Sequence, residues 1–75
     1  MNACRRKRLR KVISQLEEVK AEVEDVLSEE DETRDNMPEN LCNTERYEDS
    51  ESCSESMGSA IDSIDDAIDS LNGAV

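Results

Sequence analysis

The stretch from Leu9 to Leu27, LRKVISQLEEVKAEVEDVL, decides the fold class of this chain. With Leu9 at position a of a heptad, eight of the nine a, d and e positions are apolar, and Lys20 is the exception. Ala21 is the only apolar residue elsewhere in the stretch. A stripe with this spacing predicts an amphipathic α-helix whose apolar side packs against another element.

A second stripe runs from Met57 to Val75, MGSAIDSIDDAIDSLNGAV, and all of its nine stripe positions are apolar. The tetrapeptide Ala-Ile-Asp-Ser at 60–63 recurs at 67–70, one heptad later. Only 35% of the chain is apolar and its net charge is −11, a composition that is typical of disordered chains. Scattered composition does not produce two such stripes, so we predict a second amphipathic helix instead.

The segment between the stripes, DNMPENLCNTE, predicts a turn. Pro38 disfavours helical backbone in the residues just before it, and Asn36 is a suitable helix end. Asn43 or Thr44 can cap the next helix. The sequence therefore predicts one helical-hairpin domain over residues 1–75, with helix 1 at about 3–36, a turn at about 37–43 and helix 2 at about 44–73.

An antiparallel hairpin that turns at Asn40 pairs residues whose numbers sum to about 80. In this register Leu16 lies opposite Ile64 and Leu27 opposite Cys53, so Cys53 is predicted to be a small core residue. Helix 2 is expected to continue through its serine-rich segment 49–58, although Ser59 could begin a separate helix. Each stripe is wider than one hairpin can cover, which predicts an all-α homodimer in which two hairpins form a four-helix bundle.

Composition excludes or disfavours several classes of function. The chain has no His and one aromatic residue, Tyr47, which argues against catalysis and against direct nucleic-acid binding. No membrane span, secretory signal, cofactor site or metal site is predicted. Cys42 and Cys53 would lie too far apart on a helix to form a disulfide. The simpler interpretation is that the cysteines are reduced thiols of a cytoplasmic protein.

Charge is distributed unevenly along the chain. Residues 1–11 carry six of the nine basic residues and none of the acids. The predicted basic end comprises Arg5, Arg6, Lys7, Arg8, Arg10 and Lys11. The acids are densest near the turn, and the predicted partner-binding surface comprises Glu29, Glu30, Asp31, Glu32, Glu45, Glu48 and Asp49. These acids could instead be a solvated face, and the basic end could be neutralised within the hairpin or across a dimer.

The segments DNMPENLCNTERYEDSES and AIDSIDDAIDSL carry a resemblance. The chain resembles a family of small, acidic, two-helix hypothetical proteins of bacteriophages and integrative mobile elements of Gram-positive bacteria. The matching features are the turn Asp35–Leu41, the step Thr44–Arg46 and the heptad helix Ala60–Leu71. The Ser/Cys stretch 50–56 departs from the Glu-rich pattern of the family. The resemblance implies a mobile-element setting and no particular mechanism.

Two hypotheses of function follow. The first is a small acidic protein that inhibits a host nucleic-acid enzyme or defence system, anti-CRISPR-like, by mimicking nucleic acid in a basic groove of a host protein. The second is a homodimeric structural or adaptor protein of a phage or plasmid complex, with no inhibitory role. Both are binding functions without cofactors.

Overall fold

Two long helices account for most of the chain in a computed structural model that describes residues 1–41 and 44–75. Helix α1 spans Ala3–Asp35 and helix α2 spans Glu45–Asn72, with a short 3₁₀ turn at Glu39–Leu41 before α2. The helices pack against each other as a hairpin 59 Å long and 14 by 11 Å across. The described residues contain no strand, and the prediction of an all-α fold with two packed helices is confirmed.

Side-chain and backbone caps set the helix ends. The Asn2 side chain accepts a hydrogen bond from the Arg5 backbone N–H at 2.8 Å, which satisfies one of the free donors of the first turn. Asn36 ends α1, and its backbone N–H donates hydrogen bonds to the carbonyl oxygens of Glu32 and Arg34. Thr44 caps α2 by accepting from the Tyr47 N–H at 3.4 Å. The alternative cap, Asn43, and the predicted free thiol Cys42 lie outside the described residues.

Residues at alternating spacings of three and four are turned away from solvent on both helices, and we call them the seam. On α1 and just after it these are Leu9, Ile13, Leu16, Lys20, Val23, Leu27, Glu30, Arg34 and Met37. On α2 and just after it they are Tyr47, Ser50, Ser54, Met57, Ile61, Ile64, Ile68, Leu71 and Val75. This spacing is that of an antiparallel coiled coil. The most deeply buried members are Ile13, Ile68 and Ser50, with 7–8% of their surface exposed.

Helix α2 is continuous through its serine-rich part, and no separate helix begins at Ser59. Gly58 lies in the middle of this helix, where an added Cβ would meet no atom within 4 Å. The serine-rich segment contributes Ser50 and Ser54 to the seam, so it is held by contacts with α1 as well as by its own backbone hydrogen bonds.

The predicted core layer of Leu27 with Cys53 is wrong, because Cys53 is exposed. Cys53 lies between the seam residues Ser50 and Ser54 in sequence but on the flank of the helix, one heptad before Ala60. The predicted register pairs Glu30 with Ser50, and this contact is present. Two other contacts, Lys20 with Asp65 and Asp31 with Ser54, lie five residues further along α2 than that register expects.

Candidate partner-binding surface

The acids predicted to bind a partner divide into two groups in the structure. Glu30 and Asp31 are half-buried where the two helices meet. The other five are exposed around the turn: Glu29, Glu32, Glu45, Glu48 and Asp49. We call these five residues the exposed acidic cluster. Glu45 and Glu48 also lie in the first turn of α2, where the helix dipole favours negative charge.

Arg34 is the centre of a polar network that joins the two helices near the turn. Its Nη1 donates to the Ser50 carbonyl and hydroxyl oxygens, both at 3.2 Å, and to Ser54 Oγ at 2.8 Å. Its Nη2 donates to Asp31 Oδ1 at 2.6 Å. Ser54 Oγ lies 2.8 Å from the same Asp31 oxygen, and Ser50 Oγ donates to Glu30 Oε1 at 2.7 Å. The polar seam residues of both helices therefore satisfy one another.

This network changes the ionisation of its members. The pKa of the Asp31 carboxyl is lowered from its ordinary value, chiefly by the hydrogen bond from Ser54 and then by that from Arg34. The pKa of Arg34 is raised, chiefly by its hydrogen bond to Asp31. Both groups are thus held in their charged forms, and Asp31 contributes to the contact between the two helices.

Arg34 is therefore engaged inside the hairpin and cannot neutralise the exposed acidic cluster. Of the basic residues near the turn, Arg46 is exposed. It lines a shallow depression together with Thr33, Met37 and Cys53, and Asp49 borders the same depression. The turn end of the molecule consequently presents the five carboxylates of the exposed acidic cluster, together with those of Asp35, Glu39 and Glu51, and Arg46 is the exposed arginine among them.

The basic end lies at the opposite tip of the hairpin, and all six of its side chains are exposed. The sequence left neutralisation within the hairpin open, and in the predicted register the acids nearest the basic end are Asp62, Asp65, Asp66 and Asp69 of helix 2. Over residues 1–41 and 44–75, the ion pairs are Lys20 with Asp65 and Arg34 with Asp31, each at 2.6 Å, and neither uses the basic end. The pKa of Lys20 is raised, chiefly by its hydrogen bond to Asp65. Asp65 is thus committed to the middle of α1.

Sequence reasoning did not anticipate the roles of Arg34, Ser50 and Ser54. A signal was present, because the three-and-four spacing of Ile13, Lys20 and Leu27 continues to Arg34. The apolar stripe stops at Leu27, so hydrophobicity alone does not indicate that the seam continues into polar residues. What made these residues partners is the packing of the helices, which places Arg34 against the serines of α2.

Comparison of the chain with protein-family models, with curated proteins and with solved structures finds no match. Neither helix of the described chain has a segment apolar enough to cross a membrane. Within residues 1–41 and 44–75, no group of three or more His, Cys, Asp or Glu side chains is arranged to hold a metal ion. Cys4 and Cys53 are free, exposed thiols.

Proposed function

We propose that this chain is a small acidic binding protein of a phage or mobile element, which inhibits a host nucleic-acid enzyme or defence system. The mode of action is occlusion: the exposed acidic cluster enters a basic groove and excludes the nucleic acid that the groove normally binds. The setting rests on the family resemblance and implies the cytoplasm of a bacterial host. The role needs no catalysis and no cofactor, and the working form is a homodimeric four-helix bundle.

The observation that supports this proposal is the accessibility of the acids at the turn. Arg34 is consumed by the internal network, and the exposed acidic cluster keeps its carboxylates in solvent. Residues 12–75 carry three basic and twenty acidic side chains. Residues 1–11 take up about 16 Å of the 59 Å hairpin, so over the remaining length this is about one net negative charge per 2.5 Å, against about one per 1.7 Å for duplex DNA. Such a density is sufficient to compete for a groove built to bind phosphates.

The direct test is displacement of nucleic acid. A fluorescently labelled duplex is bound to a purified, guide-loaded CRISPR effector nuclease, and its anisotropy is followed as the protein is added. Mimicry predicts displacement that weakens steeply as salt rises, because screening shortens the range of the charge interaction. In parallel, the immobilised protein is used to isolate partners from a lysate of a Gram-positive host. Displacement that does not depend on salt would contradict mimicry.

A matched pair of variants locates the contact surface. Reversal of Glu32, Glu48 and Asp49 to Lys is expected to weaken displacement by at least about tenfold, because three carboxylates are lost where the groove binds. Reversal of Asp62, Asp66 and Asp69 makes the same change in net charge at exposed positions far from the turn. This control variant is expected to displace the nucleic acid nearly as well as the wild type. Equal losses in the two variants would show that total charge, and not the turn surface, determines binding.

The second candidate is a structural or adaptor role, and the basic end favours it. Six exposed cations without an ion pair in the described part of the chain could bind an acidic partner or phosphates. Under this alternative the wild-type protein binds duplex DNA in physiological salt. Replacement of the three arginines Arg5, Arg6 and Arg8 by Glu is then expected to abolish that binding. The inhibitor hypothesis predicts no such binding, so one DNA titration separates the two functions.

A further inference from the structure

A column of valines along α1 remains uncovered by α2. Val12, Val19 and Val26 follow one another at intervals of one heptad, and 39%, 47% and 53% of their surfaces are exposed. They are the large hydrophobic side chains that the helical part of the described chain leaves most exposed. Three β-branched residues in line, each beside a seam residue, form an apolar strip that an isolated hairpin leaves in water.

A column of small residues on α2 lies on the same side of the hairpin. The contacts of Lys20 with Asp65 and of Asp31 with Ser54 mark the opposite side. Thr33 extends the valine column by one heptad, and it lines one depression with Cys53, which begins the column of small residues, and with Arg46, one heptad before Cys53. That column continues with Ala60, Ala67 and Ala74. We call the two columns together the valine–alanine face.

The exposed area of the hairpin is large for its mass. Its accessible surface is 5693 Å², whereas a compact chain of 8.4 kDa is expected to expose about 4,600 Å². The difference of about 1,100 Å² is spread over the whole elongated hairpin, and it exceeds the roughly 800 Å² that each partner buries in a standard protein interface. A second hairpin lying along the valine–alanine face could therefore bury an area typical of stable complexes.

We propose that the valine–alanine face binds a second copy of this chain, with the two α1 helices antiparallel and Val19 on the two-fold axis. This inference gives a geometry to the homodimer of the proposed function and rests on it. Val12 of one copy then lies beside Val26 of the other, and the alanine columns lie against each other. Beyond Asp49, the outer edge of α2 on this side is formed by Ser56, Ser63 and Ser70, so small, uncharged side chains permit close approach there.

Charge complementarity selects the antiparallel orientation. If the two α1 helices were parallel, both basic ends would meet at one end of the bundle and both acidic turns at the other. The antiparallel arrangement places the basic end of each copy beside the acidic turn end of its partner. Arg8 and Glu29 occupy the same edge of the valine column, at nearly equal distances from Val19 on either side. Each Arg8 therefore lies next to Glu29 of the second copy, which supplies an ion pair that the basic end does not form within residues 1–41 and 44–75 of its own chain.

The dimer uses one of the five residues of the exposed acidic cluster and brings the basic end of the partner near the others. Glu29 is used in the interface, while Glu32, Glu45, Glu48 and Asp49 stay accessible. The antiparallel arrangement also places the two acidic turns at opposite ends of the bundle. One dimer would then present two binding ends, and each could occupy a separate groove.

The first experiment measures mass by sedimentation equilibrium across a range of micromolar concentrations. The wild type is expected to be a dimer, and Val19→Glu is expected to raise the dissociation constant on the order of a hundredfold, because two carboxylates would face each other in an apolar interface. Ala21→Glu, which adds the same charge on the exposed outer side of α1, should change the dissociation constant by no more than about twofold. Circular dichroism confirms that both variants remain helical.

The second experiment tests orientation by charge exchange. Arg8→Glu alone and Glu29→Arg alone are each expected to weaken the dimer about threefold to tenfold, and the double variant should recover the wild-type constant. A parallel dimer would show no recovery, which would overturn the inference. A monomeric wild type would overturn it together with the homodimer. A dimer insensitive to Val19→Glu would overturn the inference alone, because it would place the interface elsewhere. Since no target is present, failure of the inhibitory function leaves all these results unaffected.

Discussion

The two ends of the seam hold the same pair of helices together by different means. Towards the open end, the residues between α1 and α2 are aliphatic apart from Lys20, and they include the buried Ile13 and Ile68. Towards the turn, the seam changes to a network in which Arg34 binds Asp31, Ser50 and Ser54. The aliphatic half supplies non-directional stabilisation that scales with buried area. The polar half supplies directional contacts that are satisfied in one alignment of the helices.

This difference suggests a division of roles within one hairpin. Aliphatic layers that repeat every heptad would tolerate a shift of α2 along α1 by one repeat, since the segment Ala60–Ser63 is repeated at 67–70. A shift would separate Arg34 from both serines and leave Ser50, which is 8% exposed, without its partners. The polar half is therefore expected to fix the register that the aliphatic half stabilises.

The largest effect is expected in the aliphatic half. Ile68→Ala removes a buried side chain and should lower the free energy of unfolding by about 2–4 kcal/mol, measured by urea denaturation at a fixed protein concentration. The control Cys53→Ala alters an exposed side chain on the same helix and should change it by less than about 0.5 kcal/mol. Similar losses of unfolding free energy in both variants would show that Cys53 also contributes to the core and that the seam includes its position.

A second variant converts the polar half into an aliphatic one. Replacing Glu30, Arg34, Ser50 and Ser54 by Leu should raise the thermal midpoint by about 5 °C or more, because buried polar groups are often less stabilising than packed apolar residues of similar volume. The same variant should lose its single register, which would appear as broadened and doubled amide signals in NMR spectra. Unchanged, single signals would show that the aliphatic layers alone define the alignment.

The smallest effect concerns the charge of Asp31. Its pKa in the folded hairpin is lowered, so the carboxylate stabilises the fold above its unfolded pKa and loses this contribution as pH falls through the folded value. The Asp31→Asn variant should therefore have a lower melting temperature than the wild type at neutral pH. This difference in melting temperature, the gap, should close as the pH falls below about 4. Asp66→Asn, at an exposed position, should show no such gap. A gap that persists to pH 2 would mean that the charge of Asp31 does not stabilise the network.

Much of the fold could be predicted from the sequence because its causes are local. The heptad spacing of Leu9–Leu27 and Met57–Val75 depends on helical geometry alone, and it predicts two helices that pack on each other. Residues such as Asn36 and Thr44 act on backbone groups within one turn of themselves. The candidate site was predictable only as a concentration of acids near the turn, since the sequence does not distinguish the engaged Asp31 from the exposed Glu32.

What the tertiary structure decided is the rotation of each helix about its own axis. The apolar stripe of each helix consists of three parallel columns of residues. Any two adjacent columns can be buried against the other helix, and the stripe itself does not determine which two. Packing buries the columns of Leu9 and Ile13 and leaves that of Val12 exposed, and on α2 it exposes Cys53 while burying Ser50. The physical reason is that burial is a property of a pair of surfaces. The sequence by itself determined two amphipathic helices and their unequal charge, and only the contact between the helices determined which side of each is the core.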